Sequence, residues 1–208
     1  MDEPELRAVL EESRSLGFLG PGPIDPQVEH ALDLAAVVGA PTGPFLDLGS
    51  GGGLPGLVLA VARPDARGTL LDSQRRRCTF LRDAVVRLGL GTRIQVACGR
   101  AERLAREAGL RASFDVVVAR SFGPPPATAE CAVGFLKPGG RLVVTEPPRA
   151  EAVRTAERWP LEGLQTLGFS PAVSTVIGDT SAVVMELQGS PDDRWPRRDG
   201  VPTKRPLW

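Results

Sequence analysis

Short apolar segments alternate with amphipathic segments along most of the chain from Phe45 onward. Runs such as PFLDLG, RGTLLDS and SFDVVVARS are short, apolar and bounded by glycine, proline or serine, which is typical of buried strands. Between them, segments such as QRRRCTFLRDAVVRLGLG bring Leu81, Ala84, Val85 and Leu88 onto one face, which is typical of helices. The alternation predicts βαβ units, a mostly parallel sheet and therefore an α/β fold.

The two ends of the chain depart from this alternation. The segments PAVSTVIG and TSAVVMELQG are separated by only a GD turn, so the last two strands must pair antiparallel. Residues 1–40 are predicted to form an N-terminal helical extension, residues 41–188 one α/β domain, and residues 189–208 a basic, proline-rich tail without regular structure. Three further segments each predict a helix: RAERLAREAGL, PPPATAECAVGFLKPGG and RAEAVRTAERWPLEGLQTLGF, the last broken at Pro160.

The composition limits which partners and sites are possible. Lys+Arg and Asp+Glu both number 25 in a chain of 208 residues, so no global basic field attracts nucleic acid and any such contact must be local. Cys78, Cys98 and Cys131 are scattered and His30 is the one histidine, which argues against a metal site and against a disulfide framework. Each cysteine is therefore expected to be a small buried apolar side chain in a reducing cytosol.

The N-terminal segment gives no sign of export or membrane insertion. MDEPELRAVLEESRSLG is charged and lacks the basic region and apolar core that mark a signal peptide. No stretch approaches the roughly 20 apolar residues that span a bilayer. We therefore expect a cytoplasmic protein with no membrane partner.

The segment FLDLGSGGGLPG joins the first predicted strand to the following helix. In a parallel α/β sheet the loops after the strands lie at the edge where ligands bind, and glycines let a ligand approach the backbone closely. The segment therefore predicts a ligand-binding loop. Its candidate binding residues are Asp47, Gly49, Ser50, Gly51, Gly53 and Leu54.

Two ligand classes compete for this loop. Gly51, Gly53 and Gly56 match the G-x-G-x-x-G pattern of dinucleotide sites, and Asp72 ends the second strand where a ribose-binding acid is expected. Asp47, however, would repel a pyrophosphate and suits a cationic ligand. S-adenosylmethionine carries a sulfonium and an ammonium group and no phosphate. The sequence therefore favours a Rossmann-like methyltransferase site over a nicotinamide site.

Several segments together resemble one family. LDLGSGGGLPG, LLDSQRRRCTFL, GRAE, FDVVVARS, HALD and the tail RWPRRDGVPTKRPL are similar to segments of the bacterial 16S rRNA guanine-N7 methyltransferases, also called glucose-inhibited division protein B. The resemblance implies a class I S-adenosylmethionine-dependent methyltransferase fold, with a seven-stranded, mostly parallel sheet, an antiparallel final strand and N-terminal helices. It also implies S-adenosylmethionine as cofactor and 16S rRNA or the small ribosomal subunit as partner.

The resemblance also implies roles for individual residues. Glu102 is expected near the adenosine, and Arg120 between cofactor and substrate as the main catalytic residue. The cofactor contacts implied beyond the glycine loop are Asp72, Ser73, Ala101, Glu102 and Arg120.

Basic residues at two places are candidates for binding RNA. Cations at a helix start are unfavourable, so Arg75, Arg76 and Arg77 indicate a phosphate partner or a nearby carboxylate, although a solvated face remains an alternative. The tail combines cations with Trp195 and Trp208, as RNA-binding segments do, although it could also be a strap folded back on the domain. The candidates are Arg76, Arg77, Arg197, Arg198, Lys204 and Arg205.

Three departures from the family pattern concern the substrate side. Glu146 stands where the family has a lysine, Ser121 stands in place of an alanine, and the N-terminal region is short. An anion beside an RNA backbone would reverse the local interaction. Two alternatives therefore stay open: a divergent methyltransferase acting on another RNA or a small molecule, and a non-catalytic module that binds S-adenosylmethionine.

Overall fold

A computed structural model describes residues 3–39, 43–147 and 155–208. It contains a seven-stranded sheet in the order β3-β2-β1-β4-β5-β7-β6, in which the first five strands of that order are parallel and β7 runs antiparallel to both of its neighbours. The strands are β1 (Phe45–Leu48), β2 (Gly68–Asp72), β3 (Ile94–Cys98), β4 (Phe114–Ala119), β5 (Leu136–Glu146), β6 (Val173–Ile177) and β7 (Thr180–Glu186).

Helices cover both faces of this sheet, as parallel strands require. The helices are α1 (Glu3–Ser15), α2 (Ile24–Val38), α3 (Gly56–Ala62), α4 (Arg75–Arg87), α5 (Ala101–Leu104), α6 (Pro125–Val133), α7 (Thr155–Arg158), α8 (Leu161–Thr166) and α9 (Val201–Lys204). This α/β architecture and the antiparallel final hairpin are those that the sequence pattern predicts.

The sheet separates two apolar layers. Successive side chains of β1 are all buried and point to opposite faces, as the period of a strand dictates. Phe45 packs into the layer that α1, α2, α3 and α4 cover. Leu46 and Leu48 pack into the layer that α6, α8 and the end of the chain cover. The N-terminal helices therefore complete one face of the core, and the predicted helical extension is part of the same folded unit.

Several predicted element bounds are wrong. The helix predicted over RAERLAREAGL is the short α5, after which the chain forms turns. The end of PPPATAECAVGFLKPGG, from Leu136, belongs to β5 because it pairs with β4 at Phe114. The last predicted helix is interrupted at Pro160, as the sequence predicts, and forms two short helices; its first part lies outside the described residues.

The basic tail follows the alternative that the sequence left open, a strap folded back on the domain. Residues 189–208, here named the C-terminal strap, lie back across the domain and end in α9 and a packed Trp208. Arg111 donates hydrogen bonds to the carbonyl groups of Pro191 and Trp195 at 3.1 and 3.0 Å. Arg106 likewise donates to the Asp193 carbonyl at 3.1 Å. Sequence-distant arginines thus hold a segment that has no apolar periodicity of its own.

The expectation of three isolated thiols is wrong for two of the cysteines. The structure joins Cys78 at the start of α4 to Cys98 at the end of β3 in a disulfide, with Cα atoms 5.8 Å apart, a separation that suits such a bond. Cys131 is free and buried, and burial raises the pKa of its thiol. The two paired cysteines belong to adjacent βα units, a proximity that their positions in the sequence do not indicate.

In the part of the chain that the structure describes, no helix is long and apolar enough to cross a membrane. The same residues bring together no group of three or more His, Cys, Asp or Glu side chains that could hold a metal ion.

Candidate functional site

The glycine-rich segment forms a tight loop at the carboxyl edge of the sheet. Gly49, Gly51 and Gly53 have φ values of 78°, 56° and 103°, a region that side-chain-bearing residues rarely adopt. The amides of Gly49 and Ser50 donate to the Leu71 carbonyl of β2 at 2.9 and 2.8 Å. The loop is therefore fixed to the neighbouring strand before any ligand binds.

Asp47 lies beneath this loop rather than at its open edge. Its side chain is buried, and its Oδ2 atom accepts a hydrogen bond from the Gly56 amide at 3.0 Å. Its Oδ1 atom has no partner among the described residues. The pKa of Asp47 is raised to about 7: burial is the largest cause and the charge of Asp72 adds to it, whereas the nearby Ser50 hydroxyl, the Gly56 amide and the charge of Arg120 oppose the shift.

Asp72 connects two loops at the end of β2. Its Oδ2 atom accepts from the Gly51 amide at 3.0 Å and its Oδ1 atom from the Gln74 amide at 2.7 Å. The nearest Arg77 nitrogen lies 3.7 Å from Oδ2. The carboxylate thus sits between the glycine loop and the start of α4, where the sequence predicts a hydroxyl-binding acid.

A cavity of about 220 Å³ opens beside Asp72, between the ends of β1, β2, β3 and β4. Five of the predicted cofactor residues line it, namely Gly49, Asp72, Ser73, Ala101 and Glu102. The other six predicted cofactor residues are not among those that line it: Asp47, Ser50, Gly51, Gly53, Leu54 and Arg120. Leu54 is buried in the apolar layer, and a side chain at Gly53 would overlap Leu57, so these two shape the loop from below.

Sequence reasoning missed part of the cavity wall. Phe122 lines the cavity and packs so closely on Gly49 that a Cβ there would overlap its ring. The preceding Ser121 has a φ of 54°, an unusual conformation for a residue other than glycine. Thr203 of α9 also borders the cavity. The position of Phe122 just after β4 could have indicated it, but nothing local in the sequence indicates Thr203.

Arg120 lies beside the glycine loop and faces α2. Its Nη1 atom is buried without a partner in the described chain, and Nη2 contacts Gln27 Oε1 at only 3.4 Å. Burial lowers the pKa of Arg120, which the charge of Asp47 partly offsets. His30 also has a buried, unpaired Nδ1 atom, and burial followed by the charge of Arg120 lowers its pKa. Two buried nitrogen atoms on this side of the loop therefore lack a partner among the described residues.

The Glu102 side chain, which lines the cavity, also contacts the C-terminal strap. Its Oε1 atom accepts hydrogen bonds from Arg100 at 2.6 Å and from the Gly200 amide of the C-terminal strap at 2.9 Å. Burial alone would raise the pKa of Glu102, but these hydrogen bonds outweigh it and the pKa is lowered. Glu102 therefore ties the strap to α5.

The expectation that the Glu146 carboxylate repels an RNA backbone is wrong. Its carboxylate is buried and accepts hydrogen bonds from Arg158 at 2.7 Å and from the Trp159 indole at 2.9 Å. The anion is therefore neutralised inside the domain and does not act on a substrate backbone.

The predicted basic residues have different surroundings. Arg77 faces the Asp72 carboxylate, and Arg76 lies over the Phe18 ring, 5.9 Å from its centroid. Arg197 is bound to the buried Glu130. Exposed cations surround a groove on the outside of the strap: Arg198, Lys204 and Arg205. Trp195 and Trp208 pack against the domain, so neither presents a free ring for base stacking.

Known proteins resemble this chain in sequence and in structure. The family model of the rRNA small subunit methyltransferase G matches residues 26–173. The "Ribosomal RNA small subunit methyltransferase G" of Deinococcus radiodurans is 39% identical over 166 residues, which cover 78% of this chain and 65% of the relative. The protein of the same name from Pelotomaculum thermopropionicum is 32% identical over 207 residues, covering 96% of this chain and 86% of the relative.

The structural matches concern the fold alone. Cofactor-bound Rv0187 from MTB superposes with a TM-score of 0.61 at 24% identity, covering 91% of this chain and 92% of that one. An O-methyltransferase from Bacillus cereus in complex with SAH gives a TM-score of 0.61 at 17% identity, covering 89% and 92%. The sheet is therefore that of the class I methyltransferases. Because the family model spans most of the chain, and relatives of the same name align over most of their own length, this protein belongs to the rRNA small subunit methyltransferase G family.

Proposed function

We propose that this protein uses S-adenosylmethionine to methylate N7 of a guanine in 16S rRNA. One observation carries the proposal: a buried, unpaired carboxylate oxygen of Asp47 and a buried, unpaired guanidinium nitrogen of Arg120 occur beside a glycine loop at the carboxyl edge of the sheet. Unpaired buried polar atoms are costly, so they favour a ligand that satisfies them. The methionine end of S-adenosylmethionine carries both an anionic carboxylate and cationic groups.

The cavity residues suit the other end of the same cofactor. Asp72 offers its carboxylate to ribose hydroxyls, and Ala101 lies at the start of α5, where its backbone can contact the adenine. Phe122 and Ser73 provide further walls. A pyrophosphate would instead meet the Asp72 carboxylate in the cavity wall, which argues for a phosphate-free ligand.

Methylation of guanine N7 requires that the protein position the two reactants and does not require a proton transfer. The cofactor, when bound, supplies a methyl group on a positively charged sulfur. Guanine N7 has a lone pair and no proton, so the protein need not remove one. His30 has a lowered pKa and is largely neutral at pH 7, and no base function is assigned to it. Arg120 orients the purine and holds it close to the cofactor.

We infer that the outside of the C-terminal strap contacts RNA phosphates. Arg198, Lys204 and Arg205 surround an exposed groove, and α9 leads from this groove to the cofactor cavity. Arg197 is hydrogen-bonded to Glu130, and we infer that it holds the strap in place and does not bind RNA. The substrate is a ribosomal RNA, so the protein acts in the cytoplasm, on free 16S rRNA or on the small subunit.

The alternative of a divergent substrate loses its main support. It depended on an exposed anion at Glu146, and this carboxylate is buried against Arg158 and Trp159. No other observation favours a small-molecule substrate. A non-catalytic module would not need an unpaired arginine at the substrate side of the loop.

Nucleoside analysis tests the proposed function directly. Small subunits from a strain that lacks the endogenous enzyme are incubated with the protein and S-adenosylmethionine, and the digested 16S rRNA is examined by mass spectrometry. We expect one 7-methylguanosine to appear, and none in a reaction without protein. Another methylated nucleoside would overturn the assigned atom, and no methylation of either subunits or free rRNA would overturn the activity.

Cofactor affinity is expected to increase as the pH rises from 6 to 8. In the folded protein Asp47 keeps its proton up to about pH 7, whereas an Asp in the unfolded chain loses its proton near a pKa of about 3.9. Without ligand, the contribution of this group to the stability of the fold is therefore lost as the pH rises from about 4 to about 7. A cationic ligand favours the ionised carboxylate and expels that proton on binding. Below pH 7 the dissociation constant should therefore fall by up to about tenfold per pH unit.

Calorimetry in buffers of different ionisation enthalpy measures this proton release. Asp47→Asn keeps the size of the side chain and removes the titrating proton. The dissociation constant of the cofactor for this variant should therefore not change with pH, apart from the contribution of His30. Equal pH dependence in wild type and Asp47→Asn would show that Asp47 does not respond to the ligand.

A further inference from the structure

The C-terminal strap reaches the cofactor cavity from the side opposite the glycine loop. Thr203 of α9 lines the cavity together with Ala127 and Cys131 of α6, against which α9 packs. The cavity is thus formed by the ends of the strands and by a segment that follows the whole sheet in sequence. Any ligand that fills it must contact or displace the strap.

A buried anion anchors the strap next to this wall. Glu130 of α6 is fully buried, and its Oε1 and Oε2 atoms accept hydrogen bonds from Arg197 Nε and Nη2 at 2.8 and 2.6 Å. The Arg197 amide donates to the same Oε1 atom at 2.8 Å. Paired, planar contacts of this kind fix the direction of the chain as well as its position.

A second buried anion holds the strap three residues later. Glu102 is 2% exposed, and it accepts the Gly200 amide at 2.9 Å while Arg100 neutralises it. Gly200 has a φ of 76° and immediately precedes α9, so this hydrogen bond sets where the helix begins. The orientation of Thr203 toward the cavity therefore depends on Glu102.

We propose that the C-terminal strap is a wall of the cofactor cavity, and that the Glu102 side chain, through its Oε1 atom, is a positioning residue that holds this wall in place. The identity of the cofactor rests on the proposed function; the role of the strap rests on the contacts above.

The first test places bulk on the proposed wall. Thr203→Trp should weaken binding of S-adenosylhomocysteine at least tenfold in calorimetry, because the indole takes up cavity space. Ser190→Trp is the matched control: Ser190 lies on the same strap, is exposed and is not among the residues that line the cavity, so the affinity of this variant should stay within twofold of wild type. Unchanged affinity of Thr203→Trp would overturn the wall. If the wild-type protein itself does not bind S-adenosylhomocysteine, the proposed function fails instead.

The second test needs no cofactor. Glu102→Ala should increase hydrogen exchange at the Gly200 amide and across α9 at least tenfold in the ligand-free protein, and it should weaken S-adenosylhomocysteine binding. Glu102→Gln keeps an acceptor for the same amide and should restore slow exchange. If Glu102→Ala left Gly200 exchange unchanged, the positioning role would be wrong, whatever happens to affinity.

Discussion

Arg120→Ala is expected to lower the rate of methylation of small-subunit 16S rRNA by about 10²–10³-fold, the loss typical of removing one preorganised charged donor from an active site. Among the described residues its Nη1 atom is buried without a partner, and Nη2 makes a long contact of 3.4 Å to Gln27. The guanidinium therefore serves a bound molecule more than the fold. We expect the thermal stability of the variant to change little.

Steady-state kinetics separate the two contributions of Arg120. If the residue contacts both cofactor and purine, KM for the cofactor rises and kcat falls; a pure cofactor contact would change KM alone. Arg120→Lys keeps the charge but not the planar donor fork, so little activity should return. Arg67→Ala, at an exposed arginine preceding β2 on the opposite edge of the sheet, is the control for lost charge. Wild-type kcat/KM in Arg120→Ala would refute the assignment.

The fold and the position of the site could be predicted because their signals are local. Each strand reads as a short apolar run, and the glycines of the β1–α3 loop are needed by the backbone conformation of the loop itself. Since all carboxyl ends of parallel strands meet at one edge, Asp72, Ala101 and Arg120 could be assigned to one region without knowing any distance.

The alternation of side chains along β1 explains why Asp47 lies beneath the glycine loop. Side chains alternate along a strand, so a residue between Leu46 and Leu48 faces the opposite layer, with Phe45, rather than the crevice at the strand end. There the carboxylate meets the Gly56 amide and becomes part of the loop's support. Its remaining oxygen still makes it available to a ligand.

The sequence offers a strap folded back on the domain as an alternative, but the partners of the strap and the burial of Glu146 could not be predicted, because packing sets them. Arg197 and Glu130 are 67 positions apart, and no local pattern indicates that a basic, proline-rich segment returns to a buried carboxylate. The chemical type of Glu146 predicts an exposed anion, and only the presence of Arg158 and Trp159 reverses that expectation. A basic residue can neutralise a buried acid that is distant in sequence as readily as it can neutralise a phosphate.

Gly56→Ala is expected to destabilise the protein by about 3 kcal/mol, the upper range for forcing extra volume into a packed site. A Cβ on Gly56 would overlap both Asp47 Oδ2 and Leu70 Cδ2, and both of those residues are buried. The φ of Gly56 is not in the left-handed region, so the cost is one of space and not of backbone strain. The better helix propensity of alanine, worth about 1 kcal/mol, offsets only part of it.

Urea unfolding at constant m-value measures this change. Gly91→Ala is the matched control, because a Cβ there meets nothing within 4 Å and the residue also lacks a positive φ. That control should be neutral or stabilise by up to about 1 kcal/mol, since alanine reduces the entropy of the unfolded chain. If Gly56→Ala changed the free energy of unfolding no more than Gly91→Ala does, Asp47 would have room to move. Its burial beneath the loop would then not be fixed by the close approach of α3 to β1.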